Sequence, residues 1–370
     1  MSITAQLRAS ARLPGGVALI NGAPFERTAA LAPCALLRNG HELEVHALED
    51  LFAGESAPSA VFPLPWPSWD RGVDSVSPDG SFAVFSGQRA VRAVSASGET
   101  LWEHRHGCWG SLLGHPHTGD DQQVCDGLEH GSCRISDDGR LVWAHVALGS
   151  DKAVRQEAWL VLDARDGHEL ARLALDSAAA GSHQLAHPDG RHMGLCIGLG
   201  QDGILLHWAR WDGEKLTAWD VNEDMDRILA DVHEAHPGFL TIQHYGSDLR
   251  LHALDGTVLA EAEPSAPESE NGADSTDGYE EDDLYWDYFA GFVDAGTVIA
   301  STVESADGSD RARHWLLDAA TLRLRGPVGY PTGPNQGYAR ALGDGTWITY
   351  DERDQTLRRW AEAPGTEDGA

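Results

Sequence analysis

Apolar residues in this chain recur at strand spacing far more often than at helix spacing. Short runs rich in Val, Ile, Phe, Trp and Thr stand out: FAVFSG, RLVWAHVAL, RHMGLCIGL, FLTIQHY, TVIASTV and TWITY. Such residues suit a pleated, half-buried surface. Each run adjoins a turn-like Gly, at residues 80, 139, 190, 238, 296 and 345, so the interval is 48–59 residues. A second unit follows each run: a strand, a tight Gly-bearing turn and another strand. Its copies are VRAVSASGETLWEHR, WLVLDARDGHELARLAL, LLHWARWDGEKLTAWDV, LRLHALDGTVLAEAE and HWLLDAATLRLRGPV. Gly with Asp or Ser supplies the positive φ that hairpins need. LEVHALEDLFAGESAPSAVFPL is a looser first copy, and TLRRWAEA near the end lacks a following partner. Helical periodicity is weak, with single turns expected only near 151–158 and 222–230.

Each period therefore reads as four short antiparallel strands, repeated about every 50 residues. The chain is long enough for seven such periods. The seventh lacks its outer strand, and a spare strand lies at roughly Ile3 to Arg8. Pairing the two would leave no open sheet edge. The expected fold is thus all-β: a seven-bladed β-propeller of four-stranded antiparallel blades, one domain over 1–370, closed by the N-terminal strand on the C-terminal blade. A two-domain sandwich is the alternative, and the regular period argues against it. The pattern resembles the quinoprotein-like and WD-repeat-like propellers. The stretch from Ala93 to Trp102, AVSASGETLW, is similar to the tryptophan-docking repeat of quinoproteins, one residue shorter and with Ser95 where Asp is usual. In the next period Asp163 and Gly167 fit that motif, while Ala171 stands in place of its Trp. Trp211-Asp212 alone falls where a WD repeat would place that dipeptide. The double Gly of kelch repeats occurs once, at Gly15-Gly16. The resemblance names a superfamily and no subfamily.

Charge sharpens the picture. The 370 residues carry 27 Lys+Arg and 58 Asp+Glu, a net charge of −31. A nucleic-acid backbone binder needs a basic footprint, so none is expected here. No apolar run is long enough to span a bilayer as a helix, so no membrane partner is expected. Residues 251–310 hold 16 Asp+Glu and no Lys or Arg. Within them, 264–283 is polar and almost free of apolar side chains, and reads as an acidic disordered insertion between the fifth and sixth blades. Its charge favours a basic partner. Five cysteines without a CxxC pair, together with the lack of a signal-like N-terminus, point to reduced thiols and a cytoplasmic location.

Candidate chemistry is concentrated in two places. The segment His104–Cys133 holds His104, His106, Cys108, His115, His117, Cys125 and His130, side chains that zinc favours, at spacings of no known zinc module. The loops joining one period to the next carry Trp66, Trp69, Asp70, Trp109, Tyr285, Trp286, Tyr330 and Tyr338. Aromatic loop residues beside polar groups are typical interface anchors, or they pin their loops to the strands. Two motifs are discounted. Asp220, Asn222, Asp224, Asp226 and Asp231 alternate like a calcium loop, but Met225 occupies the position that needs Gly. GLGQDG at 198–203 copies a dinucleotide fingerprint between two strands, with no helix to hold a pyrophosphate. The favoured function is a non-enzymatic protein or peptide interaction or scaffold module that works without a cofactor. The alternative is a metal-assisted hydrolase or lactonase using His106, His115, His183 and Asp70 in a central mouth.

Overall fold

The computed structural model describes residues 2–13, 18–19, 25–26, 33–110, 123–148, 156–222, 226–264, 284–306, 309–331, 338–351 and 354–364. Two compact units divide the chain: one is Met1–Arg12 with Ala230–Ala370, the other Leu13–Leu229. Both are built from antiparallel sheets. The expected insertion at 264–283 lies outside the described residues, apart from Pro264.

In the Leu13–Leu229 unit the first sheet comprises Cys34–Asn39, Glu42–Ala47 and Ala60–Pro63, with the short strands Ala18–Leu19 and Phe25–Glu26 added on Cys34–Asn39. A helix, Leu48–Phe52, interrupts its second connection and buries Leu48 and Leu51. The helical turns expected near 151–158 and 222–230 are not seen in the described parts: Gln156–Asp163 and Arg227–His233 are strands. Their apolar residues are paired across sheets rather than along one helix face. The second sheet is Ser75–Val76, Phe82–Ser86, Ala90–Ser95 and Thr100–Arg105. The third is Ser132–Ile135, Leu141–Leu148, Gln156–Asp163 and Glu169–Leu175. The fourth is Gly181–Ala186, His192–Gly198, Ile204–Trp211 and Leu216–Asp220. In each, strands follow one another in chain order.

The first hairpin turn is the same in the second, third and fourth sheets. Asp79, Asp138 and Asp189 each accept the amide two residues on, at 3.0, 3.1 and 2.9 Å. The following Gly80, Gly139 and Gly190 have φ of 67–71°, which a β-carbon would strain. GLGQDG is a turn between strands, with a single 3-10 turn at Gly200–Asp202. Gly238 differs from expectation. It sits inside strand His236–Gln243 opposite Ala253, and the turn falls at 234–235, where His233 Nδ1 accepts the Ala235 amide at 3.1 Å.

The docking resemblance has a physical counterpart. Trp102 of the second sheet is buried and donates its indole N–H to the Ala164 carbonyl of the third at 2.8 Å. A β-carbon on Gly167 would lie 2.6 Å from the Trp102 ring, and Gly167 has φ of 71°. The glycine therefore provides both the turn and the space for the indole.

In the other unit, Arg227–His233, His236–Gln243, Leu249–Ala253 and Val258–Ala262 form one four-stranded sheet, whose first strand carries the division between the units. An eight-stranded path then runs through Leu284–Asp294, Thr297–Ala306, Ser309–Asp318 and Leu324–Gly329. It continues through Ile3–Arg12, Thr356–Glu362, Thr346–Asp351 and Ala339–Ala341. The spare N-terminal strand pairs antiparallel with Thr356–Glu362, from Ala5 opposite Glu362 to Arg12 opposite Thr356. Its first residues also run parallel to Val328 and Gly329.

Replacing Gly167 by Val is expected to destabilise the fold by about 1–3 kcal/mol through overpacking against Trp102 and strain at positive φ. A urea melt of the variant against wild type, followed by Trp fluorescence, measures this.

Candidate functional site

The loop after Ala60–Pro63 carries Trp66, Trp69 and Asp70. Both indoles are buried rather than exposed. Trp69 donates its N–H to the Ser86 carbonyl at 3.0 Å. Arg38 reaches the Trp69 carbonyl at 3.3 Å and the buried Asp74 carboxylate at 2.5 Å. The Arg92 guanidinium carbon lies 4.5 Å above the Trp66 ring. Large apolar rings with one polar edge are well served at a strand end, where a carbonyl takes the N–H. These side chains pin the loop. They also line a shallow depression open to solvent, together with Gln88, Arg89 and Arg105. Asp70 stays exposed, 3.7 Å from Arg71.

Trp109 is fully buried, edge-on to His145 at 5.1 Å. His106 is partly buried, and its Nδ1 lies 2.6 Å from the Gly107 carbonyl. Burial pushes its pKa down to about 4. Burial also lowers the pKa of His104, His130 and His207. Cys108 and Cys125 hold their sulfurs 3.8 Å apart as thiols, and burial raises the Cys108 pKa to about 11. His115 and His117 lie outside the described residues.

Beside Trp109 runs a buried polar chain that sequence order alone does not reveal. His145 Nδ1 is 2.9 Å from Ser182 Oγ, and its Nε2 is 3.3 Å from Glu157 Oε2. Glu157 accepts the Ser177 hydroxyl at 2.5 Å and the Ala179 amide at 2.9 Å. Ser182 Oγ is also 2.8 Å from Ser132 Oγ. Gln184 donates to the Ser132 carbonyl at 3.0 Å and accepts the Trp159 indole N–H at 2.9 Å. The order Ser, His, Glu is that of a nucleophile relay. Here all three members are buried and the hydroxyl is shared with a second serine. The chain's structural effect is plain: it joins the third sheet to the fourth while giving the buried Ser132, Ser182, Gln184 and Trp159 groups hydrogen-bond partners.

In the other unit Trp286 is buried and donates to the Ala262 carbonyl at 3.0 Å. Tyr330 is partly buried and accepts the Trp347 indole N–H at 2.9 Å. It lies 2.6 Å from His314 Nδ1 and edge-on to Trp360 at 4.8 Å. Tyr285 is partly buried. Of the four aromatics nominated in this unit, only Tyr338 is largely exposed, at 51%. The expectation that loop aromatics stand out as surface anchors is therefore corrected for Trp66, Trp69, Trp109 and Trp286, which turn inward because burial gains most for the largest rings.

Other exposed aromatics of this unit escape the sequence reading. Tyr245 is 75% exposed and Tyr288 44%. His244 stacks on Tyr288 at 5.9 Å and meets Tyr245 edge-on at 5.0 Å. Phe289 contacts Tyr338 at 4.1 Å between ring centroids, under the Arg340 guanidinium. Tyr245 reads as the last residue of the run FLTIQHY, yet it falls in the turn that follows and stays largely exposed.

Among the described residues, His106, His183 and Asp70 do not come together at metal-ligand distances. The cluster that does is His187, Asp189 and His192, in the first turn of the fourth sheet. The calcium-like series is used differently, with Asp224 outside the described residues. Asn222 donates to Asp220 at 2.9 Å, and Asp231 accepts the Phe292 amide at 2.8 Å.

The four lowered imidazoles carry a pH consequence. They stay neutral in the fold below pH 6.5, where the unfolded chain takes up protons. Stability is then greatest above about pH 6.5 and falls as pH drops toward 4, the His106 value. The urea midpoint should drop steadily from pH 7.5 to 5.5, and His106→Gln should make that drop shallower.

No family model matches the sequence, and no curated protein matches it. Solved structures do match in fold. The β-propeller domain of Cps50 (Swd1) from Myceliophteria thermophila aligns with a TM-score of 0.50 at 10% identity, over 97% of this chain and 100% of that one. Prolyl oligopeptidase B from Galerina marginata aligns at 0.54 with 13% identity, over 98% of this chain and 50% of that one. The same oligopeptidase bound to a 35mer substrate aligns at 0.55 with 11% identity, over 95% of this chain and 51% of that one. The present chain thus spans about half of that oligopeptidase. At such identities the likeness is one of fold. With the repeated four-stranded sheets, it places the chain among β-propeller structures, with no subfamily distinguished.

Proposed function

We propose that the chain is a seven-bladed β-propeller, closed by Ile3–Arg12 as the outer strand of the last blade, that acts as a non-enzymatic protein or peptide interaction module. Its location would be cytoplasmic. The observation that carries the binding reading is a pair of aromatic groups with exposed tyrosines, Tyr245 and Tyr288 about His244, and Tyr338 with Phe289 and Arg340, which adjoin in the chain at Tyr288 and Phe289. Exposed tyrosines beside polar groups supply contact area at small entropic cost, so they serve as anchors. The strand carrying Tyr285 and Tyr288 follows directly on the acidic stretch 264–283. That adjacency favours a partner with basic character, steered by charge and held by the rings.

Affinity capture at low salt, followed by identification of the partner and titration, tests the reading. Binding should weaken as salt rises. Tyr288→Ser and Tyr338→Ser should each weaken it about fivefold or more, of order 1 kcal/mol. Binding indifferent to both salt and these substitutions would remove it. The closure has its own test. Deleting residues 2–12 should strip a paired strand from Thr356–Glu362 and lower the melting temperature by several degrees, an effect of about 1 kcal/mol or more.

A further inference from the structure

The first turn of the fourth sheet differs in chemistry from its sister turns. In the second and third sheets the residue two before the turn Asp is Ser77 or Ser136, each donating its hydroxyl to that Asp, at 2.7 and 2.6 Å. The residue three after the Asp is apolar, Phe82 or Leu141. In the fourth sheet both places hold histidine, His187 and His192, around Asp189. Backbone geometry is otherwise the same, with Gly190 at φ 68°.

The substitution leaves electron pairs crowded together. The Asp189 amide donates to His187 Nδ1 at 3.2 Å, so that nitrogen is an acceptor. Yet the same Nδ1 lies 3.3 Å from Asp189 Oδ1, a second acceptor. Its proton then sits on Nε2, which is buried with no hydrogen-bond partner among the described residues. On the other side of the carboxylate, His192 Nδ1 is 2.6 Å from Asp189 Oδ2. Asp138 of the adjoining turn packs its carboxylate against Gly190 and adds negative charge nearby. Two imidazole nitrogens and a carboxylate therefore converge within 4.8 Å of one another. The imidazoles are held rigidly, with His192 stacked on Trp208 at 5.8 Å and His187 edge-on to it at 6.2 Å.

We propose that His187, Asp189 and His192 form a binding site for a divalent transition-metal cation, with zinc the best fit. Neutral imidazole and carboxylate are ligands zinc accepts, and it requires only four. The two histidine side chains are buried, whereas that of Asp189 is 32% exposed. The cation reaches the site from the Asp189 side, and water completes the coordination there. The Asp189 carboxylate keeps its role in the turn, since it has lone pairs for both the amides and the metal, whereas a cation at His187 Nδ1, which has one lone pair, displaces the 3.2 Å bond from the Asp189 amide. The imidazolium alternative, in which a proton on His187 relieves the crowding, predicts no metal uptake.

Equilibrium dialysis of the untagged protein against zinc at pH 7.5, followed by elemental analysis, tests the site. The control variant is the double substitution His187→Ser with His192→Leu, which restores the residues of the sister turns and so keeps a turn this fold already builds. Asp189→Asn preserves turn acceptors and removes the charge. Cys108→Ser with Cys125→Ser controls for thiol binding. Wild type should bind one more zinc per chain than the double histidine variant. Asp189→Asn should weaken uptake at least tenfold, and the cysteine variant should retain it. Cobalt should give a visible absorption band in wild type that the double histidine variant lacks. Equal zinc uptake by wild type and a natively melting double histidine variant would overturn the proposal, as would no uptake by wild type.

Discussion

Burying an indole between sheets takes one N–H away from water, and the neighbouring backbone or side chains must supply an acceptor. An unmade hydrogen bond there costs about 1–3 kcal/mol, more than a made one contributes net. Much of the described structure follows from meeting that requirement, with the buried Trp143 an exception whose N–H has no hydrogen-bond partner among the described residues. Trp102 uses the Ala164 carbonyl, Trp69 that of Ser86 and Trp286 that of Ala262. Trp315 and Trp360 each find the hydroxyl of a threonine, Thr302 and Thr349, one strand away. Trp159 requires Gln184 of the next sheet, and Gln184 in turn requires Ser132. From there the demand passes to Ser182, His145 and Glu157. A single large ring thus commits a whole line of polar residues, and that line fixes how the third and fourth sheets face each other.

This explains what could be read from sequence and what could not. The turns were legible because Asp-Gly acts locally: the Asp side chain caps an amide two residues away and Gly supplies the positive φ. Strand runs were legible for the same reason, and the N-terminal strand stood out as a run without a sequential partner. The docking of Trp102 was visible in outline through its motif. Loop tryptophans were not. Nothing in PLPWPSWD says whether an indole points to solvent or lies buried under Arg71 or Arg92. Tyr245 was misplaced for the opposite reason, since a tyrosine continuing an apolar run looks like strand until the turn at Gly246 is seen. The Ser182–His145–Glu157 line joins strands distant in sequence, and no local spacing signals it.

The rings of Tyr245, Tyr288 and Tyr338 stay largely exposed, unlike the buried indoles. Polar or charged groups nearby keep this surface wetted: His244, Asp287 and Arg340. Burial raises the Asp287 pKa, so this carboxyl is already partly withdrawn from water next to an exposed Tyr288. A surface of this composition loses little by staying solvated and gains when a partner displaces its water. Purely apolar exposure would instead favour self-association.

The His187–Asp189–His192 turn and the inter-sheet loops sit at opposite ends of the strands. In an antiparallel four-stranded sheet, the first and third connections share one end, while the second connection and the link onward share the other. Asp189 lies on the first connection of the fourth sheet, and residues 176–180 lead in at the far end of Gly181–Ala186. Six residues of strand separate them, about 20 Å at the usual rise. A cation at the turn would therefore touch the loop chemistry around His106 and Trp109 only through packed strands. A ligand shifts such strands only as far as it binds one arrangement better than another. Its effect should be confined to stability, since a ligand that favours the folded chain raises the work of unfolding by mass action. The two ends of this sheet can then carry separate chemistries without interference, which is what a fold of repeated sheets permits and a single shared pocket does not.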